Sequence, residues 1–165
     1  MSIFRKIVHT LSPQKVDVMV YVYDLAKPIP DIQAAIPLDI KTWEEKTMLG
    51  KRYVFFAYNG GKLTNRLDLV TNTLLTAQLG LKNYPVISNG TTKEQYRGNN
   101  IQGQMTCHLL RFCKQQHIAP KVYAFIAPDN HASIKVMEQK VGYQLLYRTK
   151  LYRLLGLVIY KSIIR

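Results

Sequence analysis

Residues 122–128, VYAFIAP, form a nearly unbroken apolar run of strand length. A strand with one face in water alternates apolar and polar residues. A strand without alternation is buried on both faces, the condition of a central strand in a sheet covered by helices. The preceding segment fits that placement. Ile101, Met105, Leu109 and Phe112 recur at three- and four-residue steps and predict a helix that stops before Pro120. Before it, residues 84–92 read as a strand, with Pro85 near its start and Gly90 marking a bulge or a close backbone approach. Strand, helix and buried strand make a βαβ unit whose two strands are parallel neighbours.

The rest of the chain must complete that sheet. Residues 16–25, VDVMVYVYDL, are dense in β-branched and aromatic side chains and predict a strand. Pro28, Pro30 and Pro37 make residues 26–40 an extended linker. Residues 40–49 are expected to form a short helix with Trp43 as a packing anchor, and residues 51–58 a strand. Asn59-Gly60-Gly61 supplies the positive φ angles of a tight hairpin, and its partner strand runs over 62–71. Residues 72–83 leave a bulged strand and a short helix both open. After residue 128, Asp129 or Asn130 caps a helix that passes Ser133, Val136 and Met137 and ends at Gly142. Two strands, about 143–150 and 155–163, close the chain. An antiparallel meander is thus followed by the βαβ unit. The expected class is α+β: a mixed, mostly antiparallel sheet with a central parallel βαβ unit and flanking helices. The 165 residues suit one domain, 1–165.

Charge narrows the partners. The formal net charge is +13. Residues 95–165 carry eleven basic side chains against Asp129 and Glu138, a surplus of +9, which favours an anionic ligand. The two cysteines, Cys107 and Cys113, are six apart, about 600° of helical rotation, and cannot bridge within one helix. Reduced thiols, and so a cytoplasmic setting, are expected. Cys113 and His117 share an i,i+4 spacing but have no second ligand pair, so no metal site is expected. The first residues, MSIFRKIVHTLSPQK, lack the apolar core of a signal peptide, and the apolar stretch 154–160 is too short to span a bilayer.

The chemistry concentrates in residues 92–103, TKEQYRGNNIQG. A turn from strand to helix leaves unpaired backbone N–H groups in front of the helix dipole, and Arg97 adds a cation: the makings of a phosphate site. One strand later come Asn130 and Ser133, then Lys140, Gly142 and Tyr143. In this order the sequence resembles the GNAT superfamily of N-acetyltransferases. That family's pyrophosphate loop reads Arg-Gly-x-Gly-Ile-Gly, followed after a strand by an Asn-x-x-Ser/Ala helix ending in Lys-x-Gly-Phe/Tyr. The Asn59-Gly60-Gly61 hairpin falls where the family has one. The likeness covers roughly residues 50–165. The leading segment, with Tyr21 to Leu25 and the Pro-rich linker, is similar to a bacterial subgroup associated with surface-polysaccharide or lipid-linked sugar biosynthesis.

The resemblance implies an acetyl-CoA co-substrate and no metal. Its pantetheine arm would pair with the backbone near Thr91 and Thr92, and its pyrophosphate with Arg97 and the amides of Gly98, Asn99, Asn100, Ile101 and Gln102. Asn130 and Ser133 would flank its thiol end. Two departures stand out. Asn100 and Gln102 replace family glycines, and Gln102 is expected to crowd the phosphates. Met137 stands where the family commonly has a tyrosine acid and cannot donate a proton. The identity of any acid is left open: Tyr143 and Tyr147 are candidates, but core or strand packing is their expected role. Asn89 and Thr91 are expected to share a face, and neither is a base. His131 is expected to be a solvated helix-start residue, and His9, His108 and His117 structural or exposed.

Three functions follow. The first is transfer of acetyl from acetyl-CoA to a primary amine, such as an amino sugar, by a monomer or homodimer. The second is acyl-CoA binding with little turnover, and the third a basic nucleic-acid-binding module, which lacks any recognition motif. The basic C-terminal run, RTKLYRLLGLVIYKSIIR, leaves two readings open: basic-faced strands, or peripheral attachment to anionic lipid aided by Phe4, Arg5 and Lys6.

Overall fold

The computed structural model describes residues 14–154 and 157–164. His9 and the basic residues near the N-terminus lie outside them, as does much of the C-terminal run's side-chain detail. In chain order the elements are β1 (Gln14–Asp24), β2 (Asp39–Lys46), β3 (Lys51–Asn59), β4 (Lys62–Val70) and α1 (Leu74–Gln78). Then come β5 (Val86–Thr92), a 3-10 turn (Glu94–Tyr96), α2 (Ile101–Gln115), β6 (Lys121–Ile126) and α3 (His131–Ile134), which runs on as a π-helical stretch (Lys135–Val141). Strands β7 (Gln144–Leu154) and β8 (Leu157–Ile164) follow. The strands form one sheet in the order β2-β3-β4-β5-β6-β1-β7-β8. Among the described strands only the β5–β6 pair is parallel, as the βαβ expectation requires. The α+β class with a central parallel pair is the observed one.

The apolar run sits where its composition demands. Val122, Tyr123, Ala124 and Ile126 are buried in the middle of the sheet. Val122, Ala124 and Ile126 join the main core with α2, Met137 and Val141. Alternation through β1 divides its side chains between faces. Tyr21 and Tyr23 enter the main core, while Val18 and Val20 join Leu79 and Leu151 in a smaller one on the opposite face.

Two expectations need correction. Residues 40–49 are not a helix: β2 pairs with β3 from Asp39↔Tyr58 to Lys46↔Lys51. Trp43 is no anchor, being 64% exposed. An edge strand solvated on both sides carries no apolar period, and the charges of DIKTWEEK guard it against further pairing. Nor does β1 begin the meander, which consists of β2 to β5. β1 instead lies antiparallel between β6 and β7. The linker carries the chain from there to the far edge and is tied to α2 on the way. Ala35 N donates to Asn99 O (2.9 Å), Ala34 N to Gln104 Oε1 (2.9 Å), and Arg111 to Pro30 O (2.8 Å). Residues 72–83 resolve as the short helix α1, capped by Thr73.

Candidate functional site

β5 and β6 pair only at Val86↔Tyr123 and Ile87↔Ala124, then part. The parting coincides with a break in the β4–β5 register between Arg66 and Asp68, where Asn89 adopts φ 51°. This β-bulge re-aims the end of β5. Behind it Gly90 lies close to α2: a Cβ there would sit 2.9 Å from Gln102 Nε2 and 3.2 Å from Leu67 Cδ1. The sequence reading of Gly90 as a close approach therefore holds.

A polar knot holds the bulge. Asp68, with no solvent exposure, accepts two bonds from Arg66 (2.9 and 3.0 Å) and one from Asn89 Nδ2 (2.8 Å). Arg52 Nε lies 3.9 Å away. The Arg66 guanidinium rests over the Phe56 ring at 5.7 Å and is held in its charged form first by the bond to Asp68. Asn89 is committed to this knot, while Thr91 lines the neighbouring cavity.

That cavity, of about 540 Å³, opens between the starts of α2 and α3. Thr91, Thr92, Arg97, Gly98, Asn100, Ile101, Gln102, Asn130 and Ser133 all line it, so the sequence brought these nine together. Asn99 is the exception: its side chain donates to Tyr96 O (3.1 Å) and its carbonyl accepts from the linker. Asn100 caps α2 in the left-handed conformation (φ 60°) without a side-chain bond to the helix. The first-turn amides of α2 are thus left for another partner. At α3, Asn130 Oδ1 accepts from Ser133 N (3.2 Å). A Cβ at Gly98 (φ 85°) would meet nothing within 4 Å, so the loop's approach is open.

Gln102 lines the cavity with its side chain tied to the sheet. Its Oε1 accepts from Asn65 Nδ2 (3.0 Å), which also donates to Thr92 Oγ1 (2.7 Å), so the side chain is drawn toward β4 and β5. Asn65 is itself buried and bonds two of the lining residues, Thr92 and Gln102.

The site is electropositive. Arg97 has a side chain 68% exposed and only a loose contact with Glu94 (3.8 Å). Lys140, on the opposite wall, places Nζ 2.6 Å from Asn100 Oδ1. The first turns of α2 and α3 carry no acid. The sequence held a signal for Lys140: Ser133, Val136 and Lys140 recur at three- and four-residue steps, and all three line the cavity.

Tyr143 and Tyr147 do not line the cavity and pack as expected. Tyr143 is buried against Tyr23 (ring centroids 5.3 Å), and burial drives its phenol well above the usual range. Tyr147 packs against the smaller core on the other face. Met137, 4% exposed, belongs to the main core. Cys113 is buried, its thiol pushed up to about 12 by desolvation, which suits a packing role. His131 is exposed, and His108 lies against Phe55 (6.0 Å), where burial lowers its pKa. No cluster of three His, Cys, Asp or Glu side chains that could hold a metal occurs among the described residues. No helix among them is long and apolar enough to cross a membrane.

No family model matches the chain, and no curated protein matches it in sequence. Solved structures match it in shape. A protein described as a GNAT-family acetyltransferase, from Novosphingobium aromaticivorans, superposes with a TM-score of 0.58 at 12% identity, over 83% of this chain and 63% of that one. A tandem GNAT protein from the clavulanic acid biosynthesis pathway gives 0.57 at 14%, over 83% and 53%. A conserved protein of unknown function from Staphylococcus epidermidis gives 0.54 at 11%, over 91% and 65%. The chain spans between half and two-thirds of the length of these neighbours. At such identities the likeness is one of fold: this chain has the fold of GNAT acetyltransferases.

Proposed function

We propose that the protein is an acetyl-CoA-dependent N-acetyltransferase that moves an acetyl group to a primary amine. One juxtaposition carries the reading. The parallel strands β5 and β6 part beside a cavity walled by two helix starts, with Arg97 and Lys140 on its sides and no acid in either first turn. The residues present fit a phosphorylated, elongated co-substrate: open amides in the first turn of α2, an unobstructed Gly98, and a polar lining at Thr92 and Gln102, both bonded by the buried Asn65. Arg97 and the amides of residues 98–102 would hold the pyrophosphate. The backbone of Thr91 and Thr92 would hold the pantetheine arm, with Asn130 and Ser133 along the thiol end.

Acetyl-CoA, when bound, supplies an activated thioester. The chain's own part is to orient the amine beside it and to offer backbone N–H groups where β5 and β6 separate. The sequence resemblance suggests an amino sugar of a surface-polysaccharide or lipid-linked precursor as acceptor, met at the cytoplasmic side of a membrane. The test is thiol release from acetyl-CoA across a panel of primary amines that includes amino sugars. Amine-dependent release supports transfer.

One observation favours a second reading, acyl-CoA binding without turnover. Met137 is buried, and no Asp, Glu or His is among the cavity-lining residues, so no carboxylate or imidazole is at hand to move a proton. Tight binding with no amine-dependent thiol release would select it.

A further inference from the structure

We propose that Lys140 is a second phosphate-binding cation of the cavity, stationed by Asn100, so that the site selects ligands with phosphate charge reachable from both walls. The inference rests on the reading of the cavity as an acyl-CoA site and gives a binding role to a residue otherwise known only as part of a helix-end pattern.

Lys140 and Arg97 approach the cavity from different elements, the π-helical stretch that continues α3 and the loop before α2. The Lys140 ammonium bonds Asn100 Oδ1 at 2.6 Å, a neutral oxygen that leaves its charge uncancelled. Among the described residues no carboxylate lies within ion-pair distance of Lys140. Glu138, two positions earlier, is turned away and accepts the Tyr21 hydroxyl at 2.7 Å. A lysine held at the N-cap of α2 also faces the positive end of that helix, the reverse of the favourable arrangement. An anion bound between Arg97, Lys140 and the first turn of α2 removes the conflict.

Asn100 explains how the lysine is held there. At φ 60° the backbone suits glycine, yet the asparagine side chain makes two bonds glycine could not. Nδ2 donates to Gln33 O of the linker (3.1 Å), which orients Oδ1 toward Lys140. An amide oxygen is a weaker partner for an ammonium than a phosphate oxygen, so an arriving phosphate takes the lysine over. A purely structural clasp between α3 and the loop makes a different prediction: any donor of similar reach would replace the lysine, charge or no charge.

Calorimetric titration of the full chain with CoA at low ionic strength separates the two, with Lys140→Met, Lys140→Gln and Lys140→Arg beside the wild type. Lys140 is exposed, so all three variants are expected to fold, and an unchanged urea midpoint checks it. Loss of one charge-assisted bond predicts about tenfold weaker CoA binding for both Lys140→Met and Lys140→Gln, and Lys140→Arg within about threefold of wild type. Pantetheine, which has no phosphate, should bind wild type and variants alike. Wild-type affinity in Lys140→Gln, or in both neutral variants, would overturn the role of Lys140 while leaving the acyl-CoA reading intact. Failure of the wild type itself to bind CoA would overturn both.

Discussion

Asp68→Ala is expected to destabilise the protein by about 3 kcal/mol, because it removes the acceptor at the centre of the β4–β5 knot. The carboxylate has no solvent exposure and satisfies two guanidinium donors and the Asn89 amide. Deleting one side of a buried, hydrogen-bonded ion pair costs about 3–5 kcal/mol. The side chains of Arg66 and Arg52 are 42% and 37% exposed and can rehydrate, which puts the loss at the low end of that range. Asp68→Asn should not rescue it, since its amide would turn a donor toward Arg66 or Asn89. Asn89→Gly alone should be nearly neutral. It gives up one bond, worth about 1 kcal/mol, but relieves a left-handed backbone at φ 51°. Combined with Asp68→Ala, where the bond is already gone, only the backbone relief remains, so Asn89→Gly should recover about 1 kcal/mol and the cycle reports a coupling of about 1 kcal/mol. Urea unfolding followed by far-ultraviolet circular dichroism measures all four proteins. A loss below about 1 kcal/mol for Asp68→Ala, at unchanged m-value, would refute the knot as the bulge's support.

Two more outcomes follow from the same structure. Gly90→Ala places a methyl 2.9 Å from Gln102 Nε2 and 3.2 Å from Leu67 Cδ1 and should cost about 1 kcal/mol of unfolding free energy, with partial recovery in Gly90→Ala/Gln102→Ala; no recovery would mean Leu67 is the obstacle. Stability should also fall in alkali. Burial raises the phenols of Tyr21, Tyr23, Tyr123, Tyr143 and Tyr147 and pushes the Cys107 and Cys113 thiols up to about 11 and about 12. The unfolded chain releases these protons first, so the stabilisation is whole below about pH 8.5 and is lost as pH rises toward the folded-state values. The urea midpoint should drop between pH 8 and 10.5, and a flat profile would contradict the burial of these groups.

What the sequence disclosed depended on how each residue's role is encoded. The β5–α2–β6 unit was legible because a three-and-four hydrophobic period, stopped by Pro120, is followed by an unbroken apolar run of strand length. The cavity was legible through the order of its motifs, and nine expected residues line it. Strand β2 was not legible, since a strand wet on both faces has no period, and Trp43 looked like an anchor only by its size. The slot taken by β1 depends on pairing with β6 and β7, about a hundred residues away or more, which no local pattern records. The Asp68–Asn89 bond was hidden for a related reason: it exists only once the cross-strand register and the bulge are both set. The bond from Asn65 to Gln102 spans 37 residues, and no local pattern encodes it.

The claim that the cavity is an acyl-CoA site is tested most directly by titrating the purified chain with acetyl-CoA in a calorimeter, alongside Arg97→Ala. The cofactor reading predicts saturable one-to-one binding, weakened by Arg97→Ala about tenfold and more than by any other single arginine substitution. No heat of binding at millimolar acetyl-CoA, or an Arg97→Ala protein that binds as tightly as the wild type, would contradict it.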